Sequence, residues 1–392
     1  MRIPDRRPAR PGASGNPSAA ARFALLFTAQ FAAVGVMLPF LPAVLKAHGL
    51  SAQEVAAVLA GGSAVRLLAA PLIGRGADAL GDPRLVLVAG ALLGAATATG
   101  FALAQAFLAL LLINLVYNLC MAPVVPLSDA LALPAARREG FDYGRVRSAG
   151  SASFIVAAAA AGQVVALAGG DVTAVVWLFC ACLLATAASG AALPPTPAAA
   201  RRGAGGFAAP FRDRAFAWLL PVSAMVQASH AFYYGFATIH WQAAGLSAGV
   251  IGLLWAEGVV SEVALFLWGR RLADRLGAPG LVALAAAAGL LRWAVTAETT
   301  WLPALAAAQL LHGATFGAMH LGAMRVLARQ PPERAATAQT LHASLGVGLA
   351  SGLLTLASGP LYAAFGGAGF WAMAALCALA LPLAAGLRRA MR

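Results

Sequence analysis

The 392-residue chain is unusually apolar, because hydrophobic residues make up 61% of it and charged residues only 10%. Soluble domains contain roughly a quarter of charged residues, so the composition excludes an ordinary soluble protein and indicates a membrane protein. The formal net charge of +13 does not indicate a nucleic-acid partner, because the arginines cluster in alternate loops between apolar segments.

Residues 1–22 are rich in Pro, Arg and Ala and are predicted to form a disordered N-terminus. Twelve apolar segments follow, each close to the length of about 20 residues that crosses a bilayer as a helix. They are predicted at 23–46, 51–74, 84–104, 106–132, 147–169, 172–193, 215–242, 248–269, 280–297, 300–325, 336–363 and 368–387. The predicted fold class is an all-α membrane protein, with six helices in 23–193, a cytoplasmic linker at 194–214 and six helices in 215–392.

The placement of basic residues predicts the orientation of the chain. Arginines precede the first segment and recur in every second loop, whereas the opposite loops hold only Lys46. By the positive-inside rule, both termini and the linker face the cytoplasm. The expected location is a bacterial inner (plasma) membrane, which the protein crosses several times.

A short charged sequence occurs twice, as GRGADALGDPRLV at 74–86 and as RRLADRLGAPGLV at 270–282. Equivalent residues such as Arg75 and Arg271 lie 196 positions apart (271 − 75), and the string GLSA repeats at 49–52 and 245–248 with the same separation. Parallel repeats of six helices describe the two halves of major facilitator transporters. The chain resembles that superfamily, which implies two pseudo-symmetric six-helix bundles.

The repeated sequence resembles the loop signature of the superfamily, of the type G-x-x-x-D-x-x-G-R. The first copy departs from it, with Asp82-Pro83-Arg84 where basic residues are usual. In that superfamily the charged loop residues contact neighbouring helix ends when the cytoplasmic side is closed. The resemblance implies gating or scaffold roles for Asp78, Arg84, Asp129, Asp274, Arg275 and Arg325, and uncoupled interfacial charges are the alternative.

Four charged residues are predicted deep in the bilayer, where an unpaired charge costs several kcal/mol. Counting about 1.5 Å per helical residue places Arg66 and Glu262 roughly 12 Å from the inner end, and Glu257 and Arg292 roughly 20 Å. Equal depth predicts the pairs Arg66/Glu262 and Glu257/Arg292, with Glu262/Arg292 also within reach. A purely structural ion pair is the alternative to a functional one.

Histidines add groups that can change charge near neutral pH. His312 and His320 lie eight residues apart on predicted helix 10, close to one helix face. A glutamate on helix 8, an arginine on helix 9 and a histidine on helix 10 resemble the lactose-permease type of proton symporter. The resemblance implies that the proton-coupling residues are Glu262 or Glu257, with His312, while His320 is a further candidate. Thr315 stands where that family carries an acid.

A resemblance to the phenylpropionate permease branch covers nearly the whole chain. It rests on the strings at 124–132, 141–154, 230–248, 254–263 and 291–300. This likeness implies a proton symporter that imports a small aromatic carboxylate such as 3-phenylpropionate. The predicted substrate-binding residues are Arg292, with Arg66 as the alternative for the carboxylate, and His230, Tyr233, Tyr234 and Phe316.

Two other classes of function are alternatives to proton symport of an aromatic carboxylate. A carrier for a sugar, nucleoside or drug, working inward or outward, is the first alternative. An enzyme or a nontransporting receptor is the second, but the sequence shows no P-loop, GxSxG, HExxH or CxxC motif. The expected partners are protons, a small-molecule substrate and the lipid bilayer, with no cofactor and no metal, and the expected functional unit is a monomer.

Overall fold

The structure, a computed structural model, describes residues 17–80, 82–194 and 208–392, without the side chains of residues 17, 70–80, 332, 333 and 336. The first half contains α1 Pro17–Ala47, α2 Ala52–Leu80, α3 Pro83–Ala98 with Gly100–Leu103, α4 Phe107–Met121 with Val124–Glu139, α5 Tyr143–Leu167 and α6 Ala174–Ala191. The second half contains α7 Arg214–Ala228 with His230–Ala243, α8 Ala248–Trp268, α9 Arg270–Glu298, α10 Leu302–Leu327, α11 Pro332–Phe365 and α12 Phe370–Ala390.

The predicted all-α fold is confirmed, and each predicted span overlaps one helical run almost completely. Ten stretches of the described chain are long and apolar enough to cross a membrane. One of them, Thr337–Ala390, is 54 residues long, which is more than twice the length of one crossing. It contains most of α11 and all of α12. The regular helices of α10 are only 11 and 10 residues long because a π-helical turn, Gly313–Gly317, separates them. These helices are consistent with twelve crossings.

Two predicted boundaries are wrong. Helix α1 begins at Pro17, so residues 17–22 are helical and not part of a disordered N-terminus. Helix α9 begins at Arg270 and not at residue 280, because two helices join at Gly277, whose φ is 63° and ψ is −176°. Residues 1–16 and 195–207 of the predicted N-terminus and linker lie outside the described residues.

The repeated string GLSA forms the same turn in both halves. Gly49 has a φ of 88° and Gly245 a φ of 89°. The N–H of the following leucine bonds five residues back in each case, from Leu50 to Leu45 at 3.3 Å and from Leu246 to Trp241 at 3.0 Å. This is the hydrogen-bond pattern that ends a helix at a left-handed glycine. The sequence repeat is therefore a structural repeat.

The described residues of the two halves pack closely at one end of their helices. We call the end that carries loop residues 140–142 and 329–331 the arginine face, and the end that carries 48–51 and 244–247 the opposite face. Near the opposite face, a side chain at Gly162 of α5 would lie 2.3 Å from the carbonyl oxygen of Ala248 on α8. The Thr238 hydroxyl donates to the carbonyl oxygen of Pro39 at 2.6 Å, which joins α7 to α1. The opposite face is therefore closed by contact between the halves.

Candidate functional site

A cavity of about 750 Å³ lies between the two halves. It reaches from Trp255 in the interior to Arg147 and Met324 near the arginine face. The first half lines it with Phe31, Val34, Leu38, Asp129, Tyr143, Arg147, Ser151 and Phe154. The second half contributes Tyr233, Tyr234, Trp255, Gly258, Val259, Glu262, Phe266, His312, Phe316, His320, Met324 and Gln339. The wall is therefore aromatic and apolar, with a few titratable groups.

A continuous chain of polar side chains runs through the second half behind this wall. The Gln309 amide donates to the Tyr233 hydroxyl at 2.7 Å, and its oxygen accepts from Arg292 at 2.5 Å. Arg292 contacts Nδ1 of His312 at 3.0 Å, and Nε2 of His312 lies 3.7 Å from a carboxylate oxygen of Glu262. Both ends of the chain, Tyr233 and Glu262, line the cavity.

The partners of His312 determine which ring nitrogen carries the proton. Arg292 has only donors, so Nδ1 of His312, 3.0 Å from its guanidinium, is the acceptor. A neutral ring then carries its hydrogen on Nε2, the nitrogen that faces Glu262. The side chain of Glu262 is 18% exposed and lines the cavity. Glu262 can therefore exchange a proton with the cavity while it faces a donor on its other side.

A break in α10 brings His312 towards α8. The regular helix ends at His312, and the π-helical turn Gly313–Gly317 follows. The N–H of Gly313 donates to the Ser261 hydroxyl at 2.9 Å. A Cβ atom at Gly258 would lie 3.4 Å from Cβ of His312, an ordinary van der Waals contact, so His312 packs directly against α8 at this position. Single π-helical turns inside α-helices are frequent at functional sites.

Arg292 is placed differently from the expectation that it grips the substrate. It is 1% exposed and is absent from the cavity lining. Besides Gln309 and His312, it donates to Thr315 at 3.3 Å and lies 4.5 Å from the ring centre of Trp293. All of these partners of the Arg292 guanidinium belong to the second half. In this conformation Arg292 orients His312 and does not face the cavity.

Arg292→Lys is therefore expected to weaken binding of an acid and of its uncharged amide by the same factor. Lysine cannot reproduce the planar fork that holds Gln309 and His312 together. Leaving a buried partner unsatisfied costs about 1–3 kcal/mol, which acts through the fold and not through the charge of the ligand. Isothermal titration calorimetry with 3-phenylpropionate and 3-phenylpropionamide measures both losses. A loss confined to the acid would show instead that Arg292 contacts the carboxylate.

Both predicted ion pairs are wrong in this conformation. Arg66 donates to the side chains of Asn118 and, at 3.2 Å, Ser63, and not to Glu262. Glu257 forms no hydrogen bond or ion pair with any residue that the structure describes. Counting residues along a helix predicts only a height, and the direction in which each helix points its side chains decides their partners.

The other predicted substrate and proton residues divide into two groups. Tyr233, Tyr234, Phe316 and His320 line the cavity as expected of residues that meet a substrate or a proton. His230 does not, because it is 1% exposed and its Nε2 contacts Thr315 at 3.2 Å. In this conformation His230 is therefore shielded from the cavity, and its contact with substrate stays a prediction.

The predicted gating residues form contacts within each half. Asp274 pairs with Arg325 at 2.6 Å, which joins α9 to α10. Arg84 donates to the carbonyl oxygen of Leu193 at 2.8 Å and so joins the start of α3 to the end of α6. These contacts join neighbouring helices near the arginine face, and the gating or scaffold role of these residues stays a prediction.

The three remaining predicted gating residues are Asp129, Arg275 and Asp78. Asp129 accepts from the Tyr143 hydroxyl at 2.9 Å and lies 3.5 Å from Arg147, so it faces the cavity. Arg275 is exposed and forms no ion pair with a described residue. The side chain of Asp78 lies outside the described residues.

The sequence analysis did not single out several residues that the structure brings to the site. Arg147 lines the cavity with its guanidinium 4.0 Å from the ring centre of Phe31. Gln309 bridges Tyr233 to Arg292, and the buried Asn114 and Asn118 hold Arg66. The signal that could have found them is a polar side chain in an otherwise apolar helix, because such residues usually face the interior of a helical bundle.

The sequence matches the MFS_1 like family over residues 21–373. It is also 32% identical over 356 residues to the probable 3-phenylpropionic acid transporter of Escherichia coli (strain K12), covering 90% of this chain and 93% of that protein. The chain belongs to the MFS_1 like family. This protein is therefore a secondary transporter of the major facilitator type and not an enzyme.

Further similarities agree with the family. The transporter is 28% identical to the maltose permease of Geobacillus stearothermophilus, with 89% of this chain and 90% of that protein covered. Its fold matches the crystal structure of the nucleoside transporter NupG with a TM-score of 0.81 at 17% identity, over 95% of this chain and 99% of that chain. A bacterial homologue of the lysosomal transporter Spinster, in an inward-facing and unoccupied conformation, matches with a TM-score of 0.71 at 16% identity, over 95% and 97%. These structures establish the major facilitator fold of the MFS_1 like transporter.

Proposed function

We propose that the transporter is a proton symporter that imports a small aromatic carboxylate such as 3-phenylpropionate by alternating access. The observation that carries this proposal is the position of Glu262, which lines an aromatic cavity and also faces Nε2 of His312 at 3.7 Å. The name of the Escherichia coli relative, at 32% identity, supports the substrate class.

The aromatic wall of the cavity supports a ring-bearing substrate. The rings of Tyr233 and Trp255 lie 4.5 Å apart, and Tyr234 stacks on Trp255 at 5.9 Å. Aromatic rings favour offset or edge contacts with one another, which lets a flat substrate insert among them. A hydrophobic cavity with a few fixed polar groups is the usual form of a small-molecule site.

Proton coupling requires that the surroundings of Glu262 differ between two conformations of the transporter. With the opposite face closed, Glu262 faces the cavity that reaches the arginine face and lies 3.7 Å from Nε2 of His312, whose other ring nitrogen contacts Arg292. With the arginine face closed, the same carboxyl group meets the other compartment. A group whose proton affinity differs between two states links the proton gradient to the change of state.

The arginine face is the cytoplasmic face of a bacterial inner membrane, with both termini and the linker on that side. The structure then corresponds to the state that releases substrate inwards, and the transporter acts as a monomer. Asp78, Asp274 and the neighbouring arginines brace the arginine face when it closes.

Uptake into proteoliposomes tests this function. Labelled 3-phenylpropionate, maltose and uridine are offered with and without a pH gradient, and with a protonophore. The proposal requires accumulation of 3-phenylpropionate that the protonophore abolishes. Accumulation of maltose or uridine alone would identify a sugar or nucleoside carrier, and uptake insensitive to the pH gradient would identify a facilitator.

A further inference from the structure

A second, smaller cavity of about 230 Å³ adjoins the main one. Val34, Leu38 and Tyr234 line both cavities, so the two are neighbours across these side chains. The smaller cavity contains Arg66 of α2 on its wall. It extends to Leu41 and Pro42 near the end of α1, and therefore lies between the main cavity and the closed opposite face.

Arg66 is held in place by a network of hydrogen bonds with polar side chains. Its guanidinium donates to Asn118 and to Ser63. The Asn118 amide donates to the carbonyl oxygen of Asn114 at 2.7 Å, and the Asn114 amide donates to the carbonyl oxygen of Val58 at 2.6 Å. Asn114 and Asn118 are 1% and 2% exposed, yet both line the cavity beside Arg66. The network fixes where the guanidinium points.

This network is possible because α2 has no side chain at Gly62. A Cβ atom there would lie 2.5 Å from the amide nitrogens of both Asn114 and Asn118. The close approach of α4 to α2 therefore brings the amide side chains of Asn114 and Asn118 next to Arg66. The guanidinium itself remains accessible from the cavity.

Arg66 has no anionic partner among the described residues, since no carboxylate lies within ion-pair distance of it. A cation inside a membrane protein is costly unless it is paired or lines a water-filled cavity. Arg147, the arginine on the wall of the main cavity, already pairs with Asp129 at 3.5 Å. Arg292 is buried and engaged. Among the described arginines that line the main and the small cavity, Arg66 is therefore the one that is free to receive an anion.

The remaining wall of the small cavity is apolar and aromatic. It consists of Met37, Leu41, Pro42, Leu59, Tyr117, Phe179, Ala231 and Gly235, with Tyr234 at the boundary and Thr355 as a further polar group. Tyr117 packs edge-on against Phe179 at 5.4 Å. One planar cation in an apolar, ring-lined space matches a ligand with a carboxylate at one end and an apolar ring at the other.

We infer that Arg66, seated on Asn114 and Asn118, is the site that binds the carboxylate of the transported aromatic acid. This inference rests on the proposed function and assigns the substrate's acidic group to the first half of the chain, whereas the proton site lies in the second half. The substrate's ring lies against the aromatic side chains around Tyr234, and a guanidinium binds its carboxylate through two parallel hydrogen bonds.

Arg66→Gln removes the charge and keeps a hydrogen-bonding side chain. We expect it to weaken binding of 3-phenylpropionate on the order of tenfold to a hundredfold, the loss typical of a charged hydrogen bond, and to leave 3-phenylpropionamide binding unchanged. Isothermal titration calorimetry on the purified full chain measures both. Retained amide binding also shows that the variant is folded.

A second pair of variants tests the site without altering Arg66. Ser63→Asp places a carboxylate beside the guanidinium that now donates to Ser63 at 3.2 Å, and Ser63→Asn is its uncharged match in shape. We expect Ser63→Asp to bind 3-phenylpropionate at least about tenfold more weakly than Ser63→Asn, because the internal carboxylate competes for Arg66. Equal affinity in the two variants would contradict the site.

Uptake driven by a pH gradient, measured on the same preparations, separates this inference from the proposed function. If Arg66→Gln binds the acid as well as the wild type does, or loses acid and amide alike, the site is overturned even where the wild type shows proton-driven uptake. If the acid-specific loss occurs but the wild type shows no proton-driven uptake, the site stands and proton symport falls. A wild type that binds neither ligand overturns an aryl carboxylate site.

Discussion

Glu262→Gln is expected to abolish accumulation of substrate against its gradient while substrate exchange across the membrane continues. Glutamine preserves the shape of the side chain beside His312 but cannot carry a proton. Exchange does not require the return of an empty, deprotonated carrier, whereas net accumulation driven by protons does. Counterflow and pH-driven uptake in proteoliposomes of the same variant measure the two activities separately.

Glu257→Gln is the matched control for this prediction. Glu257 lies on the same helix, five residues before Glu262, but has no ion-pair partner among the described residues and does not line the main cavity. It is expected to accumulate substrate as the wild type does. If Glu257→Gln loses accumulation and Glu262→Gln keeps it, the proton site has been assigned to the wrong glutamate. If both variants accumulate substrate, the coupling site lies elsewhere, and His312 is then the first residue to test.

Gly162→Ala is expected to slow transport by about fivefold to 150-fold, the range that a shift of 1–3 kcal/mol between two conformations produces. The added Cβ would lie 2.3 Å from the Ala248 carbonyl oxygen, so α5 and α8 could no longer close the opposite face as they do here. Overpacking of this kind costs about 1–3 kcal/mol. The helix itself is expected to gain stability, since alanine favours helix over glycine by about 1 kcal/mol.

Gly352→Ala is the control, because among the described residues a Cβ atom there meets the Ser63 side chain alone, at 3.9 Å. Transport rates are compared with the labelling of a cysteine introduced by Met37→Cys, which lines the small cavity near the opposite face. Gly162→Ala is expected to increase labelling from that face, and Gly352→Ala to leave it unchanged. Slow transport without increased labelling would mean that Gly162 acts through something other than closure.

The membrane-crossing helices were predictable because the features that define them can be read along the sequence alone. Length and apolarity define a membrane-crossing helix, and the recurrence of GLSA at 49–52 and 245–248 predicts two equivalent halves. The boundaries at Pro17 and Arg270 were missed because helix continues into polar sequence beyond the apolar segment. Hydropathy carries no information about that continuation.

The partners within the site were not predictable from depth. Rise along a helix places Arg66 and Glu262 at one height, but the side chains must also point towards each other. Arg66 points to Asn118 on α4, and Glu262 to His312, which lies at the start of a π-helical turn. A π-helical turn changes the rotation of everything that follows it, and no periodic pattern in the sequence announces it.

A glycine precedes each of two charged residues at equivalent positions of the repeat. Arg66 and Glu262 hold equivalent positions in the two repeats (262 − 66 = 196), and Gly62 and Gly258 precede them by four residues. A Cβ atom at Gly62 would lie 2.5 Å from the amide nitrogens of α4, whereas one at Gly258 would make an ordinary van der Waals contact of 3.4 Å with His312 of α10. If Arg66 binds the carboxylate of the substrate and Glu262 the proton, as we propose, one repeated position carries opposite charges in the two halves. The proposed substrate and proton sites would then be related by the same pseudo-symmetry that relates the two halves.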